Sequence, residues 1–171
     1  MQRVDPQPRQ DEKSNLQQFL NFQRGTLLLK TQGLGQGDLN RQLPTSTLTL
    51  GGLLKHLALV EDDWIQVKFL GKDEKDLEPW GSAPWGEDPD WEFHSAADDD
   101  PQELRNLYRD ACARSRTAVT DCSLDDLSLG TDRAGNQWNL RWVLTHLLEE
   151  TARHNGHADL LREAIDGTVG E

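Results

Sequence analysis

Four stretches of this chain carry apolar residues at intervals of three and four, and no stretch sustains an alternation of two. That periodicity is the signature of amphipathic helices, and it leaves no credible set of strands. The first helix is predicted from about Glu12 to Lys30, with a stripe of Leu16, Phe19, Leu20, Phe22, Leu27 and Leu28. A second starts at Thr47 or Thr49, either of which could cap it, and Gly71 closes it. Leu50, Leu53, Leu54, Leu57, Val60, Glu61 and Trp64 share its inner face. The third opens on Asp100-Pro101-Gln102-Glu103, a cap followed by proline at the first helical position. Leu104, Leu107, Tyr108, Ala111, Cys112, Ser115 and Val119 continue it. The fourth runs from about Leu140 to Ile165, with Asn139 as its cap and Gly167 as its stop. The expected fold is therefore all-α, a four-helix bundle.

The connectors are less regular. Residues 1–11 are polar, hold two prolines and read as a flexible N-terminal arm, which leaves 12–171 for the bundle. Residues 71–100 form a long crossover between the second and third helices, with Trp80, Trp85, Trp91 and Phe93 among acidic residues and prolines. Such a loop either covers the side of the bundle or walls a ligand pocket. Residues 121–138 are expected to be a short strand pair or a loop around Gly130 and Gly135. Trp138 and Trp142 are expected to pack at the bundle end.

Charge excludes several function classes. Thirty acidic against 18 basic residues give a formal charge of −12, which disfavours nucleic-acid backbones and anionic membranes alike. No apolar run approaches the ~20 residues needed to span a bilayer. The N-terminal MQRVDPQPRQDEKSN has no apolar core of a signal peptide, so the cytoplasm is the expected compartment. Cys112 falls on the third helix's stripe and reads as a small core residue, and Cys122 sits in a connector. The two form no CxxC pair and no disulfide framework.

The fourth helix holds the informative anomaly. Val143, Leu144, Leu147, Thr151, Ala158 and Leu161 define its buried stripe. At ~100° per residue, Glu150 and His154 fall inside that stripe, one turn apart on one face. A carboxylate placed where a bundle wants leucine needs a partner. His56, at the edge of the second helix's apolar face, can reach the same point if the two helices are neighbours. Two imidazoles and one carboxylate suit zinc, nickel or ferrous iron with open positions left over. The same residues could instead form a hydrogen-bonded polar network. His146 and His157 could replace one of the three or orient it, and His94 in the crossover could also reach the site. Gly156 could allow close packing or a ligand's approach. Arg141, Arg153 or Arg162 could bind a substrate carboxylate.

The segment LRWVLTHLLEETARHNGHADLLREAIDG resembles the C-terminal signature of the DinB-like family, especially its actinobacterial branch. STLTLGGLLKHLALVEDDW resembles that family's matching metal-bearing helix. The resemblance covers nearly the whole chain, the Trp-rich crossover included. It implies a four-helix bundle with a long crossover and a metal at one end of its core. It also implies that His56, Glu150 and His154 are the ligands, with zinc the first choice of metal and nickel or iron the others. The Glu form resembles mycothiol-dependent maleylpyruvate isomerase rather than the three-His thiol transferases. His157 stands where many relatives carry Gln. The isomerase's extra C-terminal domain, and the fused catalytic domain of ergothioneine-forming relatives, have no counterpart in these residues, so neither of those reactions is expected.

Three readings of function follow. The first, implied by the resemblance, is a metal-dependent S-transferase whose co-substrate is a low-molecular-weight thiol such as mycothiol and whose partner is a small electrophile. The second is another metal-assisted reaction, such as hydrolysis by metal-bound water. The third is a metal-stabilised binding or stress-response module with no catalysis. Pairing into a homodimer is expected by resemblance alone.

Overall fold

The computed structural model describes residues 3–170, so the ends of the expected arm and bundle, at 1, 2 and 171, lie outside the described residues. Regular structure among the described residues is helical. It comprises α1 (Glu12–Thr31), α2 (Gln36–Leu39), α3 (Leu50–Asp62), α4 (Trp91–Ser95), α5 (Pro101–Ala118) and α6 (Leu140–Asp166). The long helices α1, α3, α5 and α6 are the four that periodicity predicts.

Their starts are set by side chains that satisfy the free N–H groups of the first turn. The Asp11 carboxylate accepts from Ser14 N, Thr49 from Gly52 N, Asp100 from Gln102 N and Glu103 N, and Asn139 from Trp142 N. Gly167 ends α6 at φ 78°, a left-handed position where a side chain would be strained.

α1 packs on α6 and α3 on α5, while α3 also meets α6. The interior contains Leu27, Leu50, Leu53, Leu54, Leu57, Tyr108, Ala111 and Leu161 in one cluster. A second holds Leu20, Ile65, Leu140, Val143 and Leu147. Phe19 is a correction to the predicted stripe: it is 49% exposed, while its neighbour Leu20 is fully buried.

α3 does not end as an α-helix. Asp63–Phe69 continues it as a π-helix, in which the Leu70 N–H donates to Ile65 O at 3.0 Å, a five-residue return. The carbonyls of Lys68 and Phe69 then accept from Gly130 N and Leu129 N, both at 2.9 Å. That contact pins the 121–138 connector, which is a loop: its only β-bridge among the described residues is the isolated one between Leu127 and Asn139.

The crossover is held at its middle. Trp80 is fully buried, and its indole Nε1 donates to Asp62 Oδ2 at 2.9 Å. Asp62 also accepts from Arg114 at 2.7 and 3.1 Å. Trp80 thus covers the side of the helices, as one of the two readings of the loop expects. At the other end of the chain, the Arg3 guanidinium lies 4.9 Å over the Phe22 ring, and Gln7 N donates to Gln18 Oε1.

Candidate metal centre

Along α6, Trp142, His146, Glu150 and His154 stand one turn apart in a single row. α3 and its π-helical extension set His56, Val60 and Trp64 in a parallel row. Each row follows from spacing by four. Where the rows face each other, His56, Glu150 and His154 each bring one ligand atom within 4.8 Å of the other two. The His56 and His154 rings are 5.0 Å apart, and His154 Nε2 is 3.5 Å from a Glu150 oxygen. All three side chains are only part-exposed, so the group sits at the border of core and solvent.

Electrostatics favour neutral imidazole at His154. Burial, followed by the neighbouring His56, pushes its pKa down to about 4, although Glu150 pulls the other way. A neutral ring keeps a lone pair on one nitrogen and its proton on the other. Two imidazoles and a carboxylate from two helices could hold one divalent cation and leave a position open.

Sequence reasoning missed the residue that holds His56. Glu92 on α4 places Oε1 3.0 Å from His56 Nδ1. Its other oxygen is buried without a hydrogen-bond partner among the described residues. Phe93 stacks on the His56 ring at 4.6 Å and 22°. No periodicity marks Glu92, because it lies in the irregular crossover. The only cue is an acid set between two aromatics, Trp91 and Phe93.

The remaining candidates separate cleanly. His157 Nδ1 is 3.4 Å from His154 Nδ1, beside the group. His146 lies one turn away, between Trp64 (4.5 Å) and Trp142 (5.1 Å). His146, Glu149 and Glu150 also bring ligand atoms within 4.8 Å of one another, but Glu149 is exposed and pairs with Arg153 at 2.9 Å. His94 is exposed and hydrogen-bonded to Asp88, which raises its pKa, and it does not join the group. Arg141 pairs with Glu12 and Asp125, and Arg162 with Asp166. Arg162 also donates to the carbonyls of Lys30 and Gln32, so each of the three arginines is engaged by partners outside the group of His56, Glu150 and His154. A methyl group built on Gly156 would meet nothing within 4 Å, so this glycine serves no close packing.

The chain is of the DinB-like class, as its match to a family of that class shows. The chain belongs to the mycothiol-S-transferase family, whose model matches residues 15–167. No curated protein matches the chain. No helix among the described residues is long and apolar enough to cross a membrane.

Proposed function

We propose that this chain is a metal-dependent thiol S-transferase, built as a DinB-like four-helix bundle over 12–171 with 1–11 as its arm. His56, Glu150 and His154 are its metal ligands, zinc being the first choice and nickel or iron the others. The observation that carries the reading is the convergence of these three donors within 4.8 Å, from two helices of a chain in the mycothiol-S-transferase family.

A divalent cation held by His56, Glu150 and His154 would supply the charge that lowers a thiol's pKa and makes a low-molecular-weight thiol such as mycothiol available as thiolate at neutral pH. The protein's own groups do the rest. His56 and His154 present ring nitrogens, and Glu150 contributes a carboxylate that favours cations in the set. The α6 row continues through His146 and Trp142 and the α3 row through Trp64, and together they offer flat apolar faces one to three turns away, where a small electrophile can lie beside the thiol. In this reading the protein works in the cytoplasm on small molecules, and as a homodimer.

Metal analysis of the purified chain beside His56→Ala and Glu150→Ala tests the site. The expected result is about one metal per wild-type chain and loss in both variants. Consumption of an alkylating bimane in the presence of a mycothiol-like thiol then tests the reaction. A wild-type chain without metal, or variants that keep it, overturns the site. Metal-dependent turnover that ignores the thiol overturns the transferase reading in favour of hydrolysis.

A further inference from the structure

We infer that Glu92 is a positioning residue for the metal centre: delivered by the crossover, it fixes His56 with Nδ1 protonated and Nε2 free to bind. The inference rests on the metal-centre reading above and adds a fourth residue to it, from a third segment of the chain.

The geometry is specific. The Glu92 side chain is only 7% exposed, and Oε1 stands 3.0 Å from His56 Nδ1. A carboxylate on one ring nitrogen draws the proton there, which leaves the lone pair on the other. Phe93, the next residue, stacks on the same ring and opposes its rotation. Gly52, one turn before His56, makes room for this: a Cβ there would stand 3.1 Å from the Phe93 ring.

α4 is itself tied down on α3. The Lys55 ammonium lies 4.2 Å over the Trp91 ring and donates to Ser95 Oγ at 2.8 Å and Asp99 at 2.6 Å. Residues on both sides of Glu92 are therefore anchored to the helix that bears His56. A buried carboxylate with one oxygen unpartnered is an expensive thing to place beside an imidazole unless a positive charge lies beyond it. A cation on the far nitrogen of His56 provides that charge.

The test uses the full chain as wild type, Glu92→Gln, Glu92→Ala and His56→Ala. Zinc affinity is read by chelator competition, the coordination by the visible spectrum of the cobalt(II) form, and folding by the melting curve of the metal-free proteins. Glu92→Ala is expected to weaken zinc about 10- to 100-fold, the usual loss when a ligand's outer partner is removed, and to shift the cobalt bands. Glu92→Gln keeps an acceptor oxygen without the charge and is expected to fall between. Nitrogen-15 spectra of the metal-free chain at mildly alkaline pH are expected to show the Nδ1–H form of His56 in wild type and the Nε2–H form in Glu92→Ala.

If both Glu92 variants bind zinc as the wild type does while His56→Ala does not, the metal centre stands and the role of Glu92 is overturned. The role is also overturned if Glu92→Ala only lowers the metal-free melting point, or weakens zinc with the His56 tautomer unchanged. If the wild type binds no zinc, the metal centre itself fails and takes the inference with it.

Discussion

Arg24 on α1 and Glu61 on α3 form a two-pronged ion pair inside the protein, with both bonds at 2.6 Å and both side chains almost wholly excluded from solvent. Removing one partner strands the other charge, at a typical cost of about 3–5 kcal/mol. Arg24→Met and Glu61→Leu should each lower stability by roughly that amount in urea titrations. The double variant should be more stable than either single one, since no charge is left unpaired. Additive losses would show that the pair does not act as a unit.

The donor row on α6 makes a sharp division among histidines. His146→Ala and His157→Ala should retain the metal that His56→Ala, Glu150→Ala and His154→Ala lose, by elemental analysis of each purified variant. Loss in His146→Ala with retention in His56→Ala would move the centre to the alternative group of His146, Glu149 and Glu150.

Asp62 joins α3 to the crossover through Trp80 and to α5 through Arg114. Asp62→Ala leaves an indole N–H unpaired in the interior and should cost about 1–3 kcal/mol. Limited proteolysis of this variant should cut between residues 71 and 90 at concentrations of protease that leave the wild type whole. Equal resistance would mean that apolar burial of Trp80 alone holds the loop.

Burial, followed by the adjacent Glu61, raises the Cys112 thiol well above its ordinary pKa, and its sulfur is sealed among core residues. Ellman's reagent should therefore leave Cys112 unmodified in the native protein and find both thiols after denaturation. Rapid native labelling of Cys112 would mean that the interior opens more readily than its packing implies.

Much of the fold is legible in the sequence because helices advertise themselves locally. The caps Asp100 and Asn139 and the stop at Gly167 are read from a few adjacent residues, and they stand where expected. Glu150 and His154 are visible for the same reason, as polar groups at positions in phase with leucines. Three features carry no such local mark. The π-helical continuation after Asp62 ends in tertiary bonds from Leu129 and Gly130, which no local pattern announces. Arg24 stands in phase with Leu20, Leu27 and Leu28, but nothing local names Glu61 as its partner across the interior. Glu92 lies in a segment without a period, and only three-dimensional contact reveals its bond to His56.

The candidate centre draws on residues spread from His56 to His154. During synthesis, His56 leaves the ribosome first, then Glu92, and Glu150 and His154 only after a further 58 and 62 residues. Before that, a nascent chain can offer a metal one imidazole and its carboxylate neighbour, too few donors to hold an ion against the cell's buffers. If the proposed centre holds, loading would be deferred until α6 has docked, and only a chain made through α6 would acquire the ion.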